Sequence, residues 1–361
     1  MTFLKNTWYV AAWAEEVNAE AMLARTILNE GVILFRDAAG KAVAMRDRCP
    51  HRAAPLHMGS VKDGVVQCGY HGLQFDGKGA CVFNPHGDGN IPANAKVKSY
   101  PVAERHDAVW IWMGEAGRAD EALIPALDMA RSASATVVRG YLNAPSHYEL
   151  MTDNLLDLGH TAYLHPDSLG SEAIVHSTRQ TRRDGDKVVY ELWAPDGDAP
   201  PIAQMLVPAL CAGRVDHWMV STWHAPCLIH QVTGFAPAGA NREGAEVMNG
   251  FHVLTPETDT TTHYFHALSR GFRLDDPQLD AIIDGGVTMA FANQDFPMVG
   301  AIQRQLSGPD VGDARPVVLS TDAGGVMARR VLQQKLAQEA ETAPVSAPAQ
   351  VQSVQFVARR D

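Results

Sequence analysis

Two short stretches, Cys49-Pro50-His51-Arg52 and Cys68-Gly69-Tyr70-His71, each pair one cysteine with one histidine, with sixteen residues between His51 and Cys68. In a binuclear iron–sulfur cluster of mixed ligation, two thiolates hold one iron and two imidazoles hold the other, so each loop must bring one soft anionic ligand and one neutral nitrogen. A structural zinc site also uses two Cys and two His, but it usually pairs like with like, as C-x₂₋₄-C followed by H-x₃₋₅-H. Here the two types are interleaved. Four unrelated core residues would require both pairs to coincide by chance in a chain with only 5 Cys and 15 His. The stretches therefore read as the two ligand loops of a redox cluster.

This is the pattern of a Rieske [2Fe–2S] centre, with Cys49, His51, Cys68 and His71 as its ligands. Imidazole in place of two thiolates removes negative charge from the cluster and raises its reduction potential above that of an all-Cys cluster. Such a centre accepts electrons readily and passes them on. His57 and His86 lie near the loops and read as surface or packing histidines. Cys81, Cys211 and Cys227 are scattered without a disulfide-like pattern and read as buried, inert thiols.

At 361 residues the chain has room for two domains, each with its own core. With 46% apolar residues it is composed like an ordinary globular protein, and its formal charge of −11, without a basic run, argues against a nucleic-acid partner. Apolar runs such as Met205-Leu206-Val207-Pro208-Ala209-Leu210-Cys211 fall short of the ~18 residues that a membrane span requires. No apolar core follows Met1-Thr2-Phe3-Leu4-Lys5-Asn6 that would make a secretory signal. A cytoplasmic protein is expected.

Residues 1–118 read as short strands separated by turns, among them Arg25–Leu28, Val32–Arg36 and Ala108–Met113, which suits a small all-β domain with both metal loops between strands. Backbone amides in such loops can point at the cluster sulfurs and tune the potential. At Gly114-Glu115-Ala116-Gly117-Arg118 the strand pattern stops. Over 119–337 long helical segments are expected to alternate with strand-like runs such as Val188–Trp193, giving an α+β domain with an antiparallel sheet. From Gln338 to residue 361 the chain is poor in large apolar residues and reads as a flexible tail.

A second constellation lies in Asn154-Leu155-Leu156-Asp157-Leu158-Gly159-His160-Thr161-Ala162-Tyr163-Leu164-His165. Asp157 and His160 are three apart, so on a helix the carboxylate could orient the imidazole through its second nitrogen. His160 and His165 are five apart, about 500° around an ideal helix, so joint ligation requires the helix to end or bend between them, and Gly159 weakens it there. Two imidazoles and one carboxylate make the facial triad of a mononuclear non-haem Fe(II) site with open positions for O₂. The segment Asp276-Pro277-Gln278-Leu279 opens like a helix, with an acidic N-cap and Pro at the first position. On it Asp295, flanked by apolar residues and followed by Pro297, is the first candidate for the carboxylate and Asp284 the second. Asn154 and Asp157 are the candidate catalytic residues beside the metal.

With both motifs in this order, nearly the whole chain except the tail resembles the Rieske non-haem iron oxygenases, the terminal components of multicomponent bacterial oxygenases. Asn6–Ala11, Asn154–His160, His252–Thr258 and Asp322–Val326 resemble the branch of vanillate O-demethylase, dicamba O-demethylase and toluenesulfonate methyl-monooxygenase. The resemblance implies that Cys49, His51, Cys68 and His71 hold the cluster, and that His160, His165 and Asp295 hold the catalytic iron. It also implies head-to-tail homotrimers, in which an acidic residue at the position of Asp157 bridges His71 of one subunit to His160 of the next. The reaction implied is reductive O₂ activation, attack on a methyl C–H, and collapse of a hemiacetal to formaldehyde and a phenol. Electrons would come from NADH through a separate flavin and iron–sulfur reductase, since this chain has no G-x-G-x-x-G turn. His252 and Gln231 lie where related demethylases place polar groups near an aromatic acid. Gly285-Gly286 stands where the dicamba enzyme carries a large aromatic residue, which implies a wider or differently lined pocket.

The leading expectation is therefore aryl O-demethylation of a vanillate-like methoxybenzoate. Hydroxylation of a ring or aryl methyl group is the alternative within the same chemistry. A pure electron carrier would leave the histidine pair without a role, and a zinc-binding interaction protein would be colourless.

Overall fold

Trp8–Trp13 and Ala108–Trp112 are buried at every position, as strands covered on both faces must be. They pair antiparallel, and Val102–Arg105 joins the free edge of Ala108–Trp112. The computed structural model describes residues 3–127, 134–240, 242, 245–306 and 316–342. Leu23–Ile27, Glu30–Arg36, Ala42–Arg46 and Ser99–Tyr100 make a second small sheet. Ser60–Lys62, Val65–Gln67, Gln74–Phe75 and Cys81–Phe83 make a third. The all-β expectation for the first part of the chain holds.

Beyond it, Thr136–Ala144, Thr178–Asp184, Lys187–Gly197, Val215–His224, Leu228–Pro237, Glu246–Pro256 and Thr262–Arg270 form one seven-stranded antiparallel sheet. The α+β class is as expected, but the alternation of long helices with strands is not found. From Thr178 to Arg270 the strands follow one another as a meander. The physical reason is that most connections are short: Gly185 and Asp186 alone join the first two strands, Gly185 with φ +57°, and residues 225–227 join Val215–His224 to Leu228–Pro237, whereas the longer connection 198–214 holds only one short α-helix, Pro201–Leu206. The helices Tyr148–Leu156, Pro277–Val287, Phe296–Gln305 and Ala323–Thr342 lie outside the meander in sequence.

Tyr9, Leu34 and Ile111 from the first part share one apolar core with Leu155, Tyr190 and Leu254 from the second. Main-chain bonds from Leu28 N to Pro256 O and from Asn29 N to Glu257 O, both 3.0 Å, tie the small sheets to the large one. The expected flexible tail starts too early, because Gln338 through Thr342 continue the final helix, and residues 343–361 lie outside the described residues. Of the three spare cysteines, Cys227 is buried, whereas Cys81 and Cys211 are half-buried, and all are unpaired. Among the described residues no helix is long and apolar enough to cross a membrane.

Candidate active site and metal centres

The two cysteine–histidine loops are built alike. Cys49 N bonds Ala54 O at 2.8 Å and Ala53 N returns to Cys49 O at 3.0 Å; Cys68 N bonds Leu73 O at 2.8 Å and Gly72 N returns to Cys68 O at 3.0 Å. Each turn needs a residue at positive φ, supplied by Ala53 at +57° and Gly72 at +69°. The result places both thiols inside, each 2% exposed, and turns both imidazoles outward, with ring centroids 4.6 Å apart. The amides of His51 and Arg52 point at the Cys49 sulfur, as cluster loops require. Burial pushes the Cys49 thiol up to about 11, so its thiolate form depends on a bound cation. Two buried sulfurs beside two paired, outward imidazoles suit a Rieske cluster whose imidazole edge meets the next electron carrier. His57 pairs with Asp47, and His86 hydrogen-bonds the carbonyl of His71 at 2.9 Å, so neither is needed as a ligand.

His160, His165 and Asp295 converge, their nearest nitrogen and oxygen atoms all within 4.8 Å of one another. The helix Tyr148–Leu156 stops ahead of both histidines; a 3₁₀ turn, Leu158–His160, and a one-turn helix, Thr161–Leu164, then carry them. The break that joint ligation demands is thus present, but it flanks the pair at Asp157 instead of falling at Gly159 alone. A Cβ on Gly159 would sit 3.1 Å from both the Arg179 guanidinium and the Asp157 carboxylate, so its smallness serves close approach. His160 donates Nδ1–H to the main-chain carbonyl of Asp157, not to its carboxylate as expected. The carboxylate accepts from Gly159 N at 3.1 Å instead.

Asp295 ends a stretch of wide turns, Thr288–Asp295, in which Phe296 N–H reaches back five residues to Phe291 O. Pro297 explains the widening, since it has no N–H to give and its ring crowds the carbonyl four residues back. Asp284 is exposed on the preceding helix, away from the cluster, so the second carboxylate candidate is set aside. Asp295 Oδ1 lies 3.4 Å from His160 Nε2 and 3.2 Å from His165 Nε2, and accepts from Asn154 Nδ2 at 2.8 Å. Burial alone would raise the Asp295 carboxyl, but the bonds from both histidines pull it down to about 2. His165 bonds Gln294 Oε1 through Nδ1 at 2.7 Å, a partner the sequence reading missed although it adjoins Asp295. With both Nδ1–H groups given to carbonyl oxygens, both Nε2 atoms and one carboxylate oxygen face one point, and a cation there would take the Nε2 lone pairs once their protons leave. That donor set fits a facial-triad Fe(II) site.

The triad opens into a cavity of about 140 Å³ with a mainly aliphatic lining. Gln231 and His252, expected near the substrate, both line it, as does Gly286. His252 bonds the Tyr264 hydroxyl at 2.7 Å through Nδ1, and burial holds it neutral, down to about 3. His217 also lines the cavity and was not singled out in the sequence, although its alternation with Met219 and Ser221 on one strand face was there to be read.

Residues 7–101 match the Rieske [2Fe–2S] domain family, and residues 144–338 match the vanillate O-demethylase oxygenase C-terminal domain family. The chain belongs to the Rieske oxygenases of the vanillate O-demethylase type. Similar proteins include the oxygenase component of chloroacetanilide N-alkylformylase of Rhizorhabdus wittichii, 36% identical over 93% of this chain and 97% of that one. The oxygenase component of dicamba O-demethylase of Stenotrophomonas maltophilia is 37% identical over 92% and 98%. A crystal structure of dicamba monooxygenase bound to 3,6-dichlorosalicylic acid superposes with a TM-score of 0.88 at 35% identity, covering 94% of this chain and 99% of that one.

As a Rieske oxygenase component, the enzyme carries a [2Fe–2S] cluster and a mononuclear iron, acts on an aromatic substrate and takes its electrons from a separate reductase. One feature of its surface bears on that transfer. Although the sequence has no basic run, the fold gathers Arg46, Arg48, Arg52, Lys96 and Lys98 around a groove beside His51.

Proposed function

We propose that this oxygenase O-demethylates a methoxylated aromatic acid of the vanillate type, releasing formaldehyde and a phenol. The observation that carries the reading is the opening of the His160–His165–Asp295 cluster into a mainly apolar cavity of about 140 Å³ whose wall offers Gln231 and His252. Cys49 and Cys68 would hold one iron of the cluster, His51 and His71 the other, and His160, His165 and Asp295 the mononuclear iron. When bound, the two groups would supply electron transfer and the reductive activation of O₂.

The protein's own residues do the rest. The Asp157 carbonyl and Gln294 fix the tautomers of His160 and His165, and Asn154 holds the Asp295 oxygen that faces them. Gln231 and His252 hold the acid, and the aliphatic lining keeps water from the reacting methyl. Overall, one O₂ and one NADH with a proton convert the methyl ether to its hemiacetal and water; the hemiacetal then parts into formaldehyde and the phenol. We also propose the head-to-tail homotrimer, with Asp157 bridging His71 of one subunit and His160 of the next. The side-chain oxygen of Asp157 that Gly159 does not occupy supports this, since among the described residues it carries no ion pair. The basic groove beside His51 suits an acidic face of the flavin and iron–sulfur reductase, and unpaired cysteines suit a cytoplasmic setting.

Purified enzyme, NADH and a compatible reductase given a panel of methoxybenzoates should release formaldehyde in step with the demethylated phenol. Substrate-dependent O₂ uptake that yields a hydroxylated parent acid and no formaldehyde would replace demethylation by hydroxylation.

A further inference from the structure

His217 lines the cavity and has no task in the reaction above. It is only 4% exposed, and neither ring nitrogen has a hydrogen-bond partner among the described residues. Other histidines of the same sheet have at least one partner: His230 bonds Asn249, His263 bonds Tyr141 and Thr26, and His252 bonds Tyr264 through Nδ1, with only its Nε2 left unpartnered among the described residues. His266, which like His217 has no partner for either nitrogen, does not line the cavity. A buried imidazole left without partners is costly, which calls for a group that satisfies it when the cavity is filled.

Position narrows what that group is. On the sheet face, Ser221 is paired with Gln231, Met219 with Thr233, and His217 with Phe235. Ser221 Oγ donates to the Leu155 carbonyl at 3.4 Å, next to Asn154, which bonds Asp295, so the Gln231 rung is on the triad side. His217 lies four residues further along its strand, roughly 13 Å at the rise of a β-strand. Its ring lies against Phe235, centroids 4.6 Å apart and planes 20° from parallel, which fixes the plane in which its nitrogens point. No Lys or Arg lines the cavity among the described residues. Burial holds the imidazole neutral, down to about 4, so at neutral pH it offers one donor and one acceptor.

We infer that His217 is a substrate-binding residue that hydrogen-bonds an uncharged polar substituent, a phenolic hydroxyl, para to the acid held by Gln231 and His252. The inference rests on the aryl-acid reading and adds the selection rule within it: 4-hydroxylated methoxybenzoates are preferred to those lacking the hydroxyl. A site with an unmet donor and acceptor discriminates against a ligand that leaves them unmet.

Calorimetric titration of the holoenzyme with vanillate and with 3-methoxybenzoate, which differ only in that hydroxyl, tests it. Wild type should bind vanillate roughly tenfold or more tightly than 3-methoxybenzoate. His217→Phe should bring the two dissociation constants together by weakening vanillate alone, and His217→Gln, which keeps a donor and an acceptor, should retain part of the preference. Survival of the full preference in His217→Phe overturns the inference. Equal affinities in wild type overturn it as well, whether or not the variant folds. Binding of neither ligand by wild type would instead sink the methoxybenzoate reading, and the assignment of His217 with it.

Discussion

At the scale of single residues, the site works by fixing which nitrogen faces inward. His160 and His165 each give Nδ1–H to a carbonyl oxygen, and only Nε2 is left for a cation. The cavity histidine His217 behaves differently, because among the described residues nothing accepts from it. Its burial has a consequence for stability. His217 and His266 are both held down to about 4, below the ordinary histidine value near 6.5. As pH falls through 6.5 the unfolded chain takes protons that the folded chain refuses, so their contribution is full above 6.5 and is lost on acidification towards 4. Between pH 6.5 and 5.0 this amounts to about 2 kcal/mol for each group, at ~1.4 kcal/mol per pH unit. Urea unfolding at the two pH values should therefore show that His217→Phe gains about 2 kcal/mol relative to wild type at the lower pH. A pH-independent difference between the two proteins would contradict the buried neutral state.

At the scale of elements, the wide-turned stretch Thr288–Asp295 is the one on which most depends, since it presents Phe291, Gln294 and Asp295 together. Gln294→Leu keeps the shape and removes the acceptor for His165, so iron affinity at the triad should fall roughly 10- to 100-fold with the cluster spectrum unchanged, read by chelator competition. Unaltered affinity would mean that Gln294 does not position the ligand. Gly286 lies just before that stretch, where an added Cβ would come no closer than 3.8 Å to Ile202. Gly286→Phe should consequently fold normally, fill the cavity and raise KM for a methoxybenzoate severalfold, by the loss of ligand volume. The two cluster loops were fully legible in the sequence because each carries both its ligands within three or four consecutive residues. The triad was legible only in part: His160 and His165 announced themselves, but Asp295 comes from a distant segment and needed Pro297 and its apolar neighbours as pointers. The meander was misread as alternating helix and strand because short apolar runs do not reveal their period, and Val188–Trp193 lies in only one of several strands that follow one another from Thr178 to Arg270. His217 is different, because its alternation with Met219 and Ser221 is legible on one strand face, but a lone histidine there does not by itself mark a cavity.

At the scale of the whole molecule, one apolar core joins the first two small sheets to the catalytic sheet, and Ile33 and Phe35, on the far face of Glu30–Arg36, share a second apolar core with Cys49 and Cys68, so the chain holds both metal sites on a single framework. In the proposed ring of three, electrons would cross between subunits at Asp157. Asp157→Asn should then leave both metals bound and the cluster reducible while turnover collapses, a combination seen by comparing the rate of cluster bleaching with substrate-dependent O₂ uptake; full turnover in this variant would dismiss the bridge. The central claim is that one chain binds a cluster through its two loops and a separate iron through His160, His165 and Asp295. Iron and acid-labile sulfide per chain in wild type and in Asp295→Ala test it most directly. The account predicts about three irons and two sulfides in wild type, and the loss of one iron with both sulfides retained in the variant. An undiminished iron count in Asp295→Ala, with the cluster intact, would contradict it.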